Sequence, residues 1–499
     1  MSDKKHNKSL LFSRLWPGRR LSASWCMALG GSLWLVACLA LALWLSRGKE
    51  TPFTAADAPS PQVGGPVPAL NAAAAEAAQS ARMRMAALDS VAEEALSDAL
   101  PQARWRHEVL PAAGTAKGQT GGHKISQTGG HEISQTGHEI SAKTPGIHVY
   151  TITGPCAPLR LGLALLDRLS PQEGGTLFHD GSASRPAVPA SPTRAAPGET
   201  KKAGHDRAVP DTSFLRDGTI RPFWTGEGQL EIRDHGRLTH RFLFPGREGE
   251  LTGLDMPLPR PALVLVIDDM GQSIEAAGAL IALPYAVTPA IWPHAPQARA
   301  TAELAAQRRM DVLVHVPMEA LPRKGGTVPD PGQGVLKVGM TPQHLQSVLA
   351  EDLAALPAAV GMNNHMGSAL TGDAAACRIV CAHIAGTGLF LLDSVTTPDS
   401  HLAQEGRAQG IVSAERAVFL DTNRQPAAIL KALDQAAALA RTRGYAIAIG
   451  HPYAETLSAL RTWQNREGVA LVPLRRLIWS LALENAGTTR GRAARTRAD

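Results

Sequence analysis

Residues with the capacity for chemistry recur at one kind of position in the C-terminal half of this chain. Asp268 and Asp269, His294, His315, His365, Asp393, Asp421 and His451 each sit at or just after a short apolar run. One acid after a strand often only caps the next helix. A series of His and Asp residues at equivalent strand ends points instead to a shared site. A carboxylate and two imidazoles can hold a catalytic zinc, with positions left open for water and substrate. Bound metal acidifies that water and polarises a carbonyl. A second carboxylate can take the water's proton, and a further His can protonate a leaving amine. The series supplies a resident for each role.

The elements that must position these residues follow from the pattern of apolar runs. Strands are expected at Ala262–Ile267, Ala286–Ile291, Val312–Val316, Ala359–Met362, Leu389–Leu392, Val418–Leu420, Ala446–Ile449 and Val469–Val472. Helices are expected between them at Ser273–Leu283, Gln297–Arg309, Pro342–Leu356, Asp373–Gly386, Pro426–Arg443 and Ala454–Asn465. Continuously apolar strands separated by helices argue for a parallel sheet covered on both faces. The number of repeats favours a closed or nearly closed parallel β/α barrel of seven or eight strands. In such folds the C-terminal strand ends converge on one face, where the site lies. Rival chemistries fit poorly. No GxGxxG follows the first strand, which argues against a dinucleotide. The acidic pair is DD rather than the DxD of aspartyl-phosphate phosphatases, and the third strand ends in His315 where a receiver domain would carry Asp.

The N-terminal half reads differently. Residues 23–45 (ASWCMALGGSLWLVACLALALWL) carry no charge, and about 20 such residues cross a bilayer. Lys4, Lys5, Lys8, Arg14, Arg19 and Arg20 precede them, so the N-terminus is expected in the cytoplasm and everything after residue 50 outside. The long apolar stretch, with no small-x-small site directly after it, favours an uncleaved anchor over a signal peptide. An Ala/Pro-rich linker and a helical segment over 79–100 come next. A tandem repeat then sets His123, His131 and His138 in register, and reads as a duplicated linker insertion. Short strand-like runs at Trp105–Leu110, His148–Ile152, Leu159–Leu166 and Gln229–Phe244 suggest a small α+β module. The last run is a hairpin about His235-Gly236, and a Pro/Ala/Ser-rich loop over 170–212 interrupts the module. The net charge of +6 gathers at the chain ends and no recognition motif accompanies it, so nucleic acid is not expected as a partner. The five cysteines form neither a CxxC nor a zinc pattern, and Cys377 and Cys381 lie four apart on one helix.

The motifs LVLVIDDMG (263–271), VLVHVPME (312–319), VGMNNHMGS (360–368), LFLLDSVT (389–396) and AIAIGHPY (446–453) resemble, in the same order, those of the divergent polysaccharide deacetylase family, its YibQ-like branch. The resemblance spans residues 261–475 and implies a barrel related to the carbohydrate esterases that remove N- or O-acetyl groups from polysaccharides. It implies Asp269, His315 and His365 as metal ligands, Asp268 as base and His451 as acid, with zinc the foremost divalent metal. Glu319 is a reserve ligand. The better-known deacetylases carry both metal histidines in one HxxxH element, whereas here they lie on separate strands. The resulting expectation is a single-pass inner-membrane protein with a periplasmic metal-dependent hydrolase domain acting on an envelope glycan. An inactive glycan-binding or regulatory protein of the same fold, with an envelope protein as partner, is the alternative. The chain divides as a basic cytoplasmic terminus (1–22), a transmembrane helix (23–46), a linker with a helical segment (47–100), the α+β module (101–255), the barrel domain (256–485) and a basic tail (486–499).

Overall fold

The computed structural model describes residues 67–111, 146–171, 212–322, 326–464 and 466–496. The transmembrane helix expected over 23–46, the tandem histidine repeat and most of the 170–212 loop lie outside the described residues. Among those described, no helix is long and apolar enough to cross a membrane.

Residues Asn71–Asp499 form one compact unit. Its first layer is a mixed five-stranded sheet. The strands are β1 (Arg104–Leu110), β2 (Ile147–Thr153), β3 (Ile220–Trp224), β4 (Leu230–Asp234) and β5 (Arg237–Leu243), in the order β1-β2-β5-β4-β3. The hairpin between β4 and β5 turns on His235 (φ 49°) and Gly236 (φ 80°). Positive φ at both central residues matches the right-handed twist of the flanking strands. A helix over Val67–Ala99 buries Leu88, Val91, Ala92, Ala95, Leu96 and Ala99, a spacing that keeps one face towards the core. The run expected as a strand at Leu159–Leu166 is instead part of a helix, Pro158–Leu169. Leu159, Leu161, Leu163 and Leu165 alternate with Arg160, Gly162 and Ala164, a period of two that imitates a strand inside a helical segment. Pro158 at its first position favours the helical start.

The second layer is an all-parallel sheet curled into a half-barrel. Its strands are β6 (Ala262–Met270), β7 (Thr288–Ile291), β8 (Leu313–Met318), β9 (Gly361–Met366), β10 (Phe390–Asp393), β11 (Ser413–Glu415), β12 (Val418–Phe419), β13 (Tyr445–Gly450) and β14 (Ala470–Leu471). They run in the order β11-β10-β9-β8-β7-β6-β13-β12, with β14 also on β6. No ladder joins β11 to β12 among the described residues. The two are nevertheless consecutive in the chain, and the Arg416 N–H donates to Asp393 O while the Ala417 N–H donates to Ile447 O. Three-residue β11 is too short to leave a readable apolar run. Tight strand contact is visible at Gly361, where a Cβ would meet the Phe390 carbonyl oxygen at 2.3 Å.

Strand side chains alternate between two cores. Val264, Val266, Leu313, Phe390, Leu392, Ile447 and Ile449 share a cluster with Trp224, Leu159 and Trp479. The small sheet and the inner face of the curled sheet therefore bury one continuous core. The opposite set, including Leu263, Leu265, Val314, Met362 and Ala448, packs against the surrounding helices.

Candidate active site

The inner-face alternation continues beyond the apolar layers and turns polar at the C-terminal strand ends. After Val264 and Val266 it brings Asp268. After Leu313 it brings His315, after Gly361 it brings Asn363 and His365, and after Ile449 it brings His451. Asp269 falls on the opposite parity and would point away in a regular strand. Its φ of 56° and a bulge correct this, because Asp268 and Asp269 together oppose one residue of β7. Asp tolerates this left-handed conformation better than most residues. Met366 (φ 52°), the last residue of β9, and Val395 (φ 49°), just after β10, are also left-handed. Each such residue costs about 1–3 kcal/mol, and such strain gathers where a site dictates the backbone.

Three donor atoms converge. Asp269 Oδ1 lies 2.9 Å from His365 Nδ1 and 3.2 Å from His315 Nε2, and the two imidazole nitrogens are 3.1 Å apart. Trp292 Nε1–H donates to the same carboxylate oxygen at 3.1 Å, and its ring meets His365 edge-on. Asn363 fixes the orientation of His315. Its carbonyl faces His315 Nδ1 at 2.9 Å, and its Nδ2–H donates to Asp268 Oδ1 at 2.8 Å and to Ser394 Oγ at 3.1 Å. The amide cannot be reversed, because its carbonyl would then face a carboxylate. His315 therefore keeps its proton on Nδ1 and offers Nε2 to the cluster, a setting typical of a metal-binding imidazole. These residues fit a divalent cation: two imidazoles and a carboxylate, with Asp268 Oδ2 3.8 Å from His315 Nε2.

The electrostatics agree with this arrangement. Burial lifts the Asp268 carboxyl above its ordinary range, opposed by His315 and the Asn363 amide. Burial acts on Asp269 too, but its contacts with His315 and His365 outweigh it and hold its carboxyl well below that range. Burial alone would depress His315, yet the charges of Asp268 and Asp269 raise it. At His365 burial prevails over the Asp269 contact and lowers the imidazole.

His451 stands on the neighbouring strand end. Asp421 Oδ1 accepts from its Nδ1 at 2.8 Å, and Asp421 Oδ2 accepts from the His451 backbone N–H at 2.6 Å and from Thr456 Oγ at 2.8 Å. Burial lowers the imidazole, but the Asp421 contact prevails and its pKa is raised, with Asp269 and Asp268 adding to the effect.

Other residues of the strand-end series are engaged elsewhere. His294 Nε2 pairs with buried Asp352 Oδ1 at 2.7 Å. Asp393 lies on the outward parity and accepts from the Val395 N–H, the Ser400 hydroxyl and the Ala403 N–H. Glu319 accepts the Val338 N–H at 2.8 Å and is not part of the three-atom cluster. Asp268 caps no helix, since Ser273 accepts the Ala276 N–H at the start of Ile274–Ile281. Sequence reasoning left Asn363 and Trp292 without a role. The doubled Asn of NNHMGS was the available signal for the first, because an inward Asn beside an inward His can serve only a polar site.

Residues 265–478 match the sequence model of a family described as divergent polysaccharide deacetylase. An uncharacterized protein of Haemophilus influenzae (strain ATCC 51907 / DSM 11121 / KW20 / Rd) is 35% identical over 199 residues, covering 40% of this chain and 69% of that protein. The uncharacterized protein YibQ of Escherichia coli (strain K12) is 31% identical over 224 residues, covering 44% and 69%. Among solved structures, an uncharacterized protein from Agrobacterium tumefaciens C58 aligns with TM-score 0.41 and 23% identity, over 43% of this chain and 88% of that one. A family 4 carbohydrate esterase from Streptomyces lividans aligns with TM-score 0.23 and 13% identity, over 45% and 89%.

Proposed function

The chain belongs to the divergent polysaccharide deacetylase family, and from that premise we propose that it is a metal-dependent hydrolase removing acetyl groups from an N- or O-acetylated polysaccharide of the cell envelope. The observation that carries the reading is the convergence of Asp269 Oδ1, His315 Nε2 and His365 Nδ1 beside a second carboxylate and an Asp-backed imidazole. Asp269, His315 and His365 would hold the metal, with zinc the best match to the donor set. When bound, that metal supplies an acidified water and a polarised acetyl carbonyl.

The remaining residues manage protons. Asp268 has Oδ1 engaged by Asn363, which leaves Oδ2 towards the cluster to accept the proton of the attacking water. Water oxygen bonds to the acetyl carbon, and the bond from that carbon to the sugar nitrogen or oxygen breaks. His451 supplies a proton to the departing atom, giving acetate and an amine or alcohol. Asp421 keeps the His451 Nδ1 edge occupied and favours the imidazolium, so the Nε2 proton is the one available for transfer. The Asp421–His451 pair follows the logic by which a buried carboxylate orients a catalytic imidazole in hydrolytic triads. The apolar segment over 23–46 would anchor the protein in the inner membrane with this domain in the periplasm. Its partners there are glycan and bilayer.

The test is acetate release. Full-length protein in detergent, loaded with Zn²⁺, is offered acetylated chito-oligosaccharides and O-acetylated envelope glycans. Release that disappears with chelator supports the reading. Absence of release across the panel, with retention of glycan, replaces it with a binding protein.

A further inference from the structure

A second convergence of metal-type donors lies in the small mixed sheet, outside the matched residues 265–478. His148 on β2 and His240 on β5 are direct register partners. On the other side of β2, Val109 of β1 is the register partner of His148, and His107 of that strand lies two residues away on the same face. The helix over Val67–Ala99 crosses this face and delivers Asp89, next to core residue Leu88.

The polar atoms of these four residues meet. Asp89 Oδ1 is 2.5 Å from His148 Nδ1 and 3.0 Å from His240 Nε2. His148 Nδ1 is also 3.1 Å from His107 Nε2. The donor atoms of Asp89, His107 and His148 all lie within 4.8 Å of one another. Zinc with nitrogen and oxygen ligands at about 2.0–2.1 Å spaces those ligands roughly 3.3 Å apart around a tetrahedron. The observed spacings need only small side-chain shifts to reach that.

Proton bookkeeping leaves the cluster short of hydrogens. The Thr239 hydroxyl donates to Ile232 O at 3.0 Å, so its oxygen accepts from His240 Nδ1 at 3.0 Å. Neutral His240 then turns a lone pair on Nε2 towards the Asp89 carboxylate. His148 Nδ1 faces a carboxylate oxygen and another imidazole nitrogen at once, and one N–H cannot serve both. The imidazole nitrogens and the carboxylate oxygen converge as lone-pair donors on one cation position. Asp89 and His148 keep 26% and 12% of their side chains exposed, which gives an ion a way in.

We propose that Asp89, His107 and His148, with His240 behind Asp89, form a binding site for a divalent transition metal, zinc by donor type, that pins the helix Val67–Ala99 to β1 and β2. The role is structural. Three or four protein ligands drawn from a helix and three strands close the site, and its metal would stabilise the packing of the helix that leads into the module.

The test uses the full-length chain with His315→Ala and His365→Ala, so that the half-barrel cluster is disabled. After exposure to Zn²⁺ and dialysis against metal-free buffer, this chain should retain about one zinc per molecule and melt at higher temperature than its chelated form. Adding His107→Asn and His148→Asn should abolish both the retained zinc and the melting shift. The more conservative Asp89→Asn should weaken both while the cooperative melt persists. Replacing His123, His131 and His138 by Ala should leave both unchanged. The proposal is overturned if the disabled chain binds no zinc, or if its zinc survives the His107/His148 changes. Neither result touches the half-barrel cluster, which is assayed separately by acetate release.

Discussion

The side-chain amide of Asn363 donates to Asp268 Oδ1 at 2.8 Å, bridging positions 95 residues apart in the chain. The same amide accepts from His315, so one neutral residue couples the candidate base to a candidate ligand. Outer contacts of this kind are worth about 10–100-fold in metal affinity. Asn363→Ala should therefore weaken zinc binding by that factor, measured by competition with a chromogenic chelator. Asn363→Asp keeps an acceptor for His315 but sets a like charge against Asp268, which raises the pKa of Asp268 further. It should recover affinity and still lose rate. Parent-like affinity in Asn363→Ala would remove this residue from the site.

The Asp421–His451 pair gives a pH signature. The His451 pKa is raised above its ordinary value, with the Asp421 contact overcoming burial. An acid must be protonated to act, so activity should fall as pH rises through that pKa. Asp421→Asn removes the charge that raises it, and the alkaline limb of the rate profile should move to lower pH. A limb that stays in place would exclude His451 as the acid.

The ligand assignment separates residues that spacing alone treats alike. Asp269→Ala, His315→Ala and His365→Ala each delete one of the converging atoms and should each lower the metal content. Glu319 is occupied with the Val338 N–H, so Glu319→Ala should leave the metal in place. Elemental analysis of the folded variants decides it. Loss of metal in Glu319→Ala alone would reverse the assignment.

Much of this was legible in residue pattern, and the remainder was not for definable reasons. The apolar runs located β6 to β10, β12, β13 and β14, because strands buried on both faces leave continuous hydrophobic stretches. They missed β11, which offers only Ser413, Ala414 and Glu415. The Pro158–Leu169 helix reads as a strand because Leu159, Leu161, Leu163 and Leu165 fall at alternate positions. Strand parity sorts inward Asp268 from outward Asp393. It fails at Asp269, whose direction depends on a left-handed backbone that no side-chain pattern announces. Asn363 and Trp292 act through contacts between distant strands, which local spacing does not encode.

The proposed topology rests on the apolar segment at 23–46 and the basic residues before it. A reporter enzyme fused after Ser46 should be active only outside the cytoplasm, while a fusion at residue 20 should be active only within it. Cytoplasmic activity of the first fusion would overturn the periplasmic reading, and recovery of a shortened soluble chain would replace the anchor with a cleaved leader.

Proton transfer divides between the two adjacent carboxylates. Asp269 is turned into the cluster by its positive φ, where its Oδ1 meets the Trp292 N–H and lies beside the two imidazole nitrogens, which places it as a ligand to the metal position. Asp268 stays on the regular inner parity and is buried, with Oδ1 held by Asn363 and Oδ2 left unbonded towards His315. Substituting Asp268 by Asn preserves shape and the hydrogen-bonding distance while removing the capacity to take a proton. His451→Ala removes the opposite proton donor but none of the converging atoms. Positioned acid and base groups contribute about 10²–10⁴-fold. Each variant should thus keep its metal and melting temperature while turnover drops at least about a hundredfold. If Asp268 and His451 served only packing, melting temperature would fall and the rate per folded molecule would persist. Melting, bound zinc and acetate release measured on the same preparations distinguish the two. Rate loss with intact metal assigns the groups to proton transfer, and rate retained with a lowered melt assigns them to the fold.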